Sequence, residues 1–424
     1  LMVKIKNIFG LEVVDSRSNP TIMAIIQLDN NIVAKAIAPA GASKGKNEAL
    51  ELRDGTKRLY GLGVKKSVSL INKVISKKLK GINIFNQELI DATLIELDGT
   101  ANMSKIGSNT SVAVSLACIK AAAYAKKVSI YKLFSKKEFI LPIPFMNVIN
   151  GGMHAGNDLS IQEFMIVPKN FKTFSDAFWA AVEVYHSLKS LIKTKYSKNA
   201  INVGDEGGFA PPLCFTSQAL DLLLEAIDLC GFNKKIFLAI DAAANSFFDQ
   251  NQQKYFIDKK MLTSDELLDY WLELIKSYPI ISLEDPFEES AYFYYAALKK
   301  STSIQIVADD ITVSNLKLLK KAIAQNALTT LLLKINQVGT LSQAIETANY
   351  ASQNNINIML SHRSGETEDS VISDLVVGLG YGLLKTGAPA RGERTAKYNR
   401  LLEIEFELAL SGQKSKFGID LKRF

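Results

Sequence analysis

Residues 280–334 contain IISLE at 280–284, IQIVAD at 304–309 and TLLLK at 330–334, three apolar runs that each end in a charged residue. The charged ends Glu284, Asp309 and Lys334 are spaced by 25 residues, about one strand and one helix. Three further runs end in a charged or hydrogen-bonding residue: IFLAID at 236–241, INIMLS at 356–361 and GLLK at 382–385. Continuous apolar strands that alternate with helical patterns favour a parallel sheet buried on both faces, and this many repeats predict a closed barrel.

The first third of the chain follows a different pattern. Short apolar runs between Lys4 and Ala38, broken by turn residues at 15–20 and 29–31, predict a meander of three strands, and helical periodicity follows from 55 to about 135. The chain is therefore predicted to be α/β with two domains. Residues 1–138 form a smaller N-terminal α+β capping domain, and residues 139–424 form a (β/α)₈ TIM-like barrel that carries the active site.

Composition favours a soluble protein over a nucleic-acid-binding or membrane protein. The 424 residues are 47% hydrophobic and 22% charged, with a net charge of +7. The lysines are scattered, which favours a solvated surface over a nucleic-acid interface. The cysteines form no CxxC pair, as expected in a reducing compartment. No apolar stretch reaches membrane-spanning length and residues 1–10 lack the apolar run of a signal peptide, so we expect a soluble, cytoplasmic protein with no membrane segment.

Three carboxylates, Asp241, Glu284 and Asp309, end different strands of the predicted barrel. Functional groups in such barrels lie at the carboxyl ends of the strands, so the three are expected to converge at the barrel mouth. Clustered carboxylates repel one another and require a cation, and oxygen ligands without Cys or His favour Mg²⁺ or Mn²⁺. For any one of the three, a helix cap or an ion pair is the alternative.

Cationic and hydroxyl side chains follow later strands on the same rim. Lys334 and Lys385 would face the carboxylates, and a lysine beside a divalent cation and a second lysine has its neutral form favoured, as a general base requires. A structural salt bridge is the alternative for either lysine. Arg363 and Ser364 offer a bidentate cation and a hydroxyl to a phosphate or carboxylate.

Glycine-rich loops supply the remaining candidates. GDEGGFAPP at 204–212 can present Glu206 as a general acid, although a tight turn explains the motif equally well. His154 and His362 lie in loops at predicted strand ends, whereas His186 lies within a helical run and is interpreted as structural. GASKG at 41–45 is interpreted as a mobile loop that closes over the mouth, with a plain flexible turn as the alternative.

Taken together, these motifs resemble those of the enolases, which we identify as of bacterial type, from Asp15 to about Asn399. The resemblance rests on the following stretches: DSR at 15–17, GAS at 41–43, LDGT at 97–100, HAGN at 154–157, GDEGGFAP at 204–211, LEDP at 283–286, ADD at 308–310, LKINQVGT at 333–340, SHRSGETED at 361–369 and KTGAP at 385–389. Departures from the family pattern are Ser18, Ala40, Lys44, Ser108 and Ser246, and Lys44 places a cation beside the closing loop's serine.

The resemblance implies a reversible, Mg²⁺-dependent dehydration of 2-phosphoglycerate to phosphoenolpyruvate, a step of glycolysis and gluconeogenesis. It implies two Mg²⁺ ions, the first held by Asp241, Glu284 and Asp309 and the second aided by Ser43. Lys334 would remove the C2 proton and Glu206 would protonate the leaving hydroxyl. Substrate contacts are implied for His154, Gln162, Glu163, His362, Arg363, Ser364 and Lys385. The family is usually dimeric and in some bacteria octameric.

Two other interpretations stay open at this point. A relative of the same superfamily could dehydrate or epimerise an acid sugar with one Mg²⁺, but it would lack the phosphate-binding residues Arg363 and Ser364. A binding protein at the cell surface, or in an RNA-processing assembly, could use the fold without catalysis. The complete set of acid, base and metal candidates argues against a purely non-catalytic role, but leaves open a secondary surface or secreted pool.

Overall fold

The computed structural model describes residues 2–41, 45, 47–152 and 155–421. Its strands are β1 (Ile5–Val14), β2 (Pro20–Leu28), β3 (Val33–Ile37), β4 (Phe139–Leu141), β5 (Ile143–Asn150), β6 (Glu163–Pro168), β7 (Ile236–Asp241), β8 (Phe248–Asp249), β9 (Lys254–Ile257), β10 (Lys260–Leu262), β11 (Ile280–Glu284), β12 (Gln305–Ala308), β13 (Thr330–Leu333), β14 (Asn357–Ser361), β15 (Gly382–Lys385) and β16 (Ser415–Phe417).

Its α-helices are α1 (Lys65–Leu70), α2 (Ser76–Leu79), α3 (Gln87–Asp98), α4 (Ser108–Lys126), α5 (Phe174–Lys195), α6 (Thr216–Leu229), α7 (Ser264–Ser277), α8 (Tyr292–Ser301), α9 (Leu316–Ala324), α10 (Leu341–Gln353), α11 (Val371–Leu379) and α12 (Gly392–Leu410). A π-helical segment, Ile71–Ile75, joins α1 to α2. Among the described residues, no helix is both long and apolar enough to cross a membrane.

The N-terminal region contains the predicted three-stranded meander. Strands β1, β2 and β3 are antiparallel neighbours in that order. Helix α4 packs against β2 and β3 through fully buried small residues, including Ala113, Ala117 and Ala121, and side chains of this size allow a helix to lie close to a sheet. The α+β prediction for this region is confirmed.

The predicted barrel is also confirmed. Eight strands of the described chain close in the order β11-β12-β13-β14-β15-β5-β6-β7. A separate apolar cluster drawn from the barrel strands, including Phe145, Val307 and Leu332, makes the barrel a packed core rather than a pore. The helices pack outside it, and the site is therefore confined to the ends of the strands.

The expectation of an all-parallel sheet is wrong at one strand. Strand β6 runs antiparallel to both β5 and β7. The cause is the connection: the described residues between β5 and β6, 151–152 and 155–162, contain no α-helix that could return the chain for a parallel strand. Neighbouring strands joined directly run in opposite directions. As a result it is the start of β6, not its end, that lies beside Asp241, because Glu163 pairs with Asp241.

The N-terminal domain contacts the mouth of the barrel. Ser16 N donates to Glu366 O (2.8 Å), and Ala40 and Gly365 form a β-bridge. Gly365 is packed so closely that a Cβ there would lie 2.7 Å from Ala40 O. These contacts agree with a capping role, and the domain boundary near residue 139 stays a prediction.

Candidate active site

The candidate residues on the barrel strands meet at one buried rim. Asp241 and Glu284 end neighbouring strands in register with each other, and Ser361 and Lys385 are likewise paired. Asp309 directly follows β12 and Lys334 directly follows β13. One cavity is lined by Gln162, Glu163, Glu206, Asp241, Asp309, Lys334, His362, Arg363, Ser364 and Lys385.

Lys385 lies at the centre of the carboxylates. Its Nζ is 2.8 Å from Asp241 Oδ2, 2.9 Å from both carboxylate oxygens of Glu284 and 3.2 Å from Glu163 Oε2. The lysine and these three acids are almost completely buried. Without its ammonium group, three carboxylates would share a region of low dielectric with little solvation.

Lys334 is paired with Asp309, and a chain of hydrogen bonds links this pair to Glu48 in the N-terminal domain. Gln337 Nε2 donates to Asp309 Oδ1 (3.0 Å) and also lies 3.3 Å from Glu48 Oε1. Glu48 in turn accepts from both terminal nitrogens of Arg363, at 3.0 and 3.2 Å. Glu48 was not predicted from the sequence, although it lies three residues after the last glycine of the loop at 41–45.

Both lysines are held in the charged form. Burial lowers the pKa of Lys334, but the carboxylate of Asp309 outweighs it and the pKa is raised. Burial also lowers the pKa of Lys385, yet Asp241, Glu163 and Glu284 raise it well above its usual value. The expectation of a neutral lysine assumed a divalent cation nearby; with carboxylates as the nearest charges, the direction is the opposite.

Glu284 and Glu163 are buried close to other acids at the rim, and their pKa values are raised as a result. Burial, followed by repulsion from Asp241, raises the pKa of Glu284 well above its usual range, and burial followed by repulsion from Glu206 does the same for Glu163. A hard cation would relieve both the repulsion and the loss of hydration. The donor set of Asp241, Glu284 and Asp309 contains only oxygen, so these residues fit Mg²⁺.

A second acidic group adjoins the first. Among the described residues, the carboxylates whose oxygens all come within 4.8 Å are those of Asp285, Asp309 and Asp310, rather than the trio expected from the sequence. Asp285 is already engaged, since it accepts from the backbone N of Asp309 (3.1 Å) and of Asp310 (2.8 Å), and Tyr295 Oη also donates to it. Asp285 therefore holds the turn after β12 in place.

The glycine loop at 204–208 places Glu206 at the rim. Gly207 has a φ of +84°, a conformation that a side chain would strain, and Glu206 O accepts from Ala388 N (2.9 Å). Asn147 Nδ2 donates to Glu206 Oε2 (3.2 Å), and His362 Nε2 lies 3.4 Å from the same oxygen. The loop therefore holds a buried carboxyl group at the rim. This placement is the one needed for the interpretation of Glu206 as a general acid.

Two predicted site residues could not be placed, and several residues that contact the site were not predicted from the sequence. Ser43 and His154 lie outside the described residues. The supporting residues missed from the sequence are Glu48, Asn147, Glu366, Arg394 and Lys397. Polar residues inside apolar helices or strands could have indicated some of them, and Asn147 within the buried β5 is the clearest such signal.

His362 gives a prediction for pH dependence. Burial, and after it the charge of Arg394, lower the pKa of His362 to about 4 against the opposing effect of Glu206. Between this value and the ordinary 6.5, the unfolded chain binds a proton that the folded chain does not. We therefore expect the contribution of His362 to the free energy of unfolding to fall by about 3 kcal/mol as pH is lowered through this range.

The measurement is urea unfolding at several pH values in this range for the native chain, His362→Gln and His186→Gln. His186 is exposed on α5, so its variant should retain the native slope. The slope should be shallower in His362→Gln alone. Equal slopes in all three chains would contradict the prediction.

Comparison with known proteins agrees with this geometry. The family model for the enolase N-terminal domain matches residues 5–134, and that for the enolase C-terminal TIM barrel domain matches residues 138–419. An enolase of Methanocaldococcus jannaschii is 50% identical over 409 residues, 96% of each chain. Enolases of Saccharolobus islandicus (strain M.14.25) and Saccharolobus solfataricus are 46% identical over 418 residues, 98% of this chain and 97% of each relative. These relatives are archaeal and do not support the expected bacterial type. The chain belongs to the enolase family and is a carbon–oxygen lyase.

Proposed function

We propose that this protein catalyses the reversible, Mg²⁺-dependent dehydration of 2-phospho-D-glycerate to phosphoenolpyruvate, a step of glycolysis and gluconeogenesis. The observation that carries the proposal is the rim itself, where Asp241 and Glu284 contact Lys385 and Asp309 contacts Lys334. Glu206 and Arg363 line the same cavity from separate loops. Together these residues supply a base, an acid, and cations for a substrate with a carboxylate and a phosphate.

Asp241, Glu284 and Asp309 would hold the first Mg²⁺, and Ser43 would assist a second. When bound, Mg²⁺ would neutralise these acids, including the Asp309 charge that keeps Lys334 protonated, and would stabilise negative charge developing on the substrate carboxylate. The supporting observation is the burial of Asp241, Glu163 and Glu284 around one ammonium group, and this burial, with the crowding of the acids, raises the pKa of Glu284.

The chain's own residues divide the chemistry between them. Lys334 Nζ would accept the proton from C2, the C3–oxygen bond would break as the C2–C3 double bond forms, and Glu206 would give its proton to the leaving hydroxyl, which departs as water. Lys385 would face the charge developing on the carboxylate, where an ammonium stabilises the transition state more than the ground state.

Arg363 and Ser364 would bind the phosphate, and Gln162, Glu163, His154 and His362 would complete the substrate site. Arg363 is buried, and a planar guanidinium suits bidentate contact with an anion. Its pairing with Glu48 supports the assignment, because it shows that the guanidinium is already ordered beside the rim.

The test is the ultraviolet absorbance of the enol product, followed from 2-phosphoglycerate with Mg²⁺ and again with EDTA. Turnover with Mg²⁺ that EDTA stops, and that added Mg²⁺ restores, is the expected result. An acid sugar in place of 2-phosphoglycerate serves as the competing substrate. Turnover of the acid sugar alone, or of neither substrate, would reject the proposal.

Loss of one acid should weaken metal binding. Asp241→Asn removes one negative charge from the metal site while keeping the side chain's shape, so Mg²⁺ affinity measured by calorimetry should fall at least about tenfold. Asp374→Asn is the matched control, because Asp374 is a buried, ion-paired acid on α11 away from the rim. Equal Mg²⁺ affinity in the two variants would argue that Asp241 is not a ligand.

The assembly and compartment are proposed on separate grounds. We infer a homodimer, with an octamer as the alternative, because β1 is an edge strand that exposes Phe9, Leu11 and Val14. A cytoplasmic location is supported by free thiols at Cys118, Cys214 and Cys230 and by the proposed glycolytic substrate. The scattered lysines do not favour nucleic acid as a partner.

A further inference from the structure

His362 is enclosed between a guanidinium and a carboxyl group. Arg394, in the first turn of α12, has no exposed surface, and its Nη1 is 2.6 Å from His362 Nδ1. The other ring nitrogen, Nε2, faces Glu206 Oε2 at 3.4 Å. The imidazole therefore bridges a buried cation and the group proposed as the general acid.

The chemistry of the guanidinium decides where the ring proton lies. Arginine carries only N–H donors and keeps its charge in proteins, so Nδ1 of His362 must be the acceptor in this contact. The ring is neutral near pH 7, because its pKa is lowered to about 4. The single ring proton then has to be on Nε2, since a proton on Nδ1 would set two donors against each other at 2.6 Å.

We propose that Arg394 is a positioning residue for the acid: it selects the Nε2–H form of His362, so that the ring nitrogen lying 3.4 Å from Glu206 Oε2 is the protonated one. This inference deepens the proposed function and rests on it. Asn147 Nδ2 donates to the same oxygen at 3.2 Å. Because Oε2 accepts from Asn147 and also lies nearest to Nε2–H of His362, the transferable proton of Glu206 belongs on Oε1. When that proton passes to the leaving hydroxyl oxygen, the carboxylate left behind is stabilised by the hydrogen bond from Asn147 and by the N–H dipole of His362 nearby.

Arg394 also fixes both loops that have to keep this geometry. Its guanidinium donates to the backbone oxygens of Arg363 (2.7 Å), Ser364 (2.6 Å) and Asp205 (3.0 Å). Packing leaves the side chain little freedom, because a Cβ at Gly387 would lie 3.0 Å from Arg394 Cδ and 3.2 Å from His362 Cε1. A planar fork with several fixed acceptors cannot be replaced by the single ammonium of lysine.

The test reads the ring proton directly, independently of turnover. The sequence has three histidines, so ¹⁵N-histidine labelling with ¹H–¹⁵N correlation through two bonds gives few signals, and His362→Gln assigns the one in question. In the native chain near neutral pH, His362 should show a protonated Nε2 and an unprotonated Nδ1. Arg394→Gln, whose amide can present its oxygen to Nδ1, should shift the ring toward the Nδ1–H form.

Steady-state kinetics of the same variants distinguish a loss of acid positioning from a general disruption of the structure. We expect kcat to fall about 10- to 100-fold in Arg394→Gln and Arg394→Lys, with KM for 2-phosphoglycerate changed less than about threefold. Arg400→Lys is the matched control, since Arg400 lies on the same helix and pairs with Asp374 away from the rim. It should retain native kcat and the native tautomer.

The outcomes discriminate between the two proposals. An Nδ1–H ring in the native chain overturns the role of Arg394, whatever the turnover. A loss of kcat in Arg394→Gln with the Nε2–H form unchanged also overturns it, because the effect is then not transmitted through His362. A native chain with the Nε2–H form but no turnover of 2-phosphoglycerate supports the tautomer assignment and rejects the proposed function.

Discussion

Replacing Lys334 with Ala should lower kcat about 10³-fold or more, because Lys334 is the proposed base for C2. Proton removal beside an ionised carboxylate creates additional negative charge, and the variant has no other base at that position. Exchange of the C2 hydrogen of 2-phosphoglycerate with deuterated solvent isolates this step, and exchange should disappear together with turnover.

Glu206→Gln gives the matched comparison. It removes the acid and leaves Lys334 intact, so elimination should stop while C2 exchange continues. Lys416→Ala, an exposed lysine paired with Glu138, controls for the loss of a lysine in general and should behave as the native chain. Persistent exchange in Lys334→Ala would assign the base elsewhere.

Replacing Lys385 with Ala should both abolish turnover and destabilise the fold. The substitution leaves Asp241, Glu163 and Glu284 buried without their shared cation, and removing one partner of a buried ion pair costs about 3–5 kcal/mol. Mg²⁺ should restore part of that loss, because it neutralises the same acids. Urea unfolding in EDTA and in Mg²⁺ measures both quantities.

Lys397→Ala is the control for this experiment. Lys397 is fully buried and pairs with Glu366 (2.8 Å), so its loss should also destabilise the chain. Glu366 is not among the proposed metal ligands, and Mg²⁺ should therefore stabilise Lys397→Ala no more than it stabilises the native chain. Equal gains from Mg²⁺ in both variants would contradict the proposed metal site.

The barrel and most of its rim could be predicted because the signal is local. An apolar run that ends in Asp241 or Lys334 reports both a buried strand and a residue at its end, and parallel strands bring such ends together without further information. The three-stranded meander was predictable for the same reason, from turn residues between short apolar runs.

Features that depend on distant pairing could not be predicted in this way. The reversal of β6 follows from a connection whose described residues form no α-helix. The sequence from 151 to 162 has no signal that distinguishes such a direct connection from a crossover to a parallel strand. The pairing of Arg363 with Glu48, and of His362 with Arg394, joins segments whose proximity only the closed barrel and its cap create. The charged state of Lys385 likewise depends on three acids from three different strands.

The reversed strand β6 also indicates where the polypeptide chain can accept an inserted domain or new termini. Because β6 starts at the mouth, it ends at the opposite face of the barrel, where Pro168 pairs with Ile236, the first residue of β7. The segment that follows, with exposed Asn170 and Lys172, leads into α5 far from the rim. Inserted domains, or new termini made by circular permutation, are best placed there, since the catalytic mouth would keep every one of its own connections.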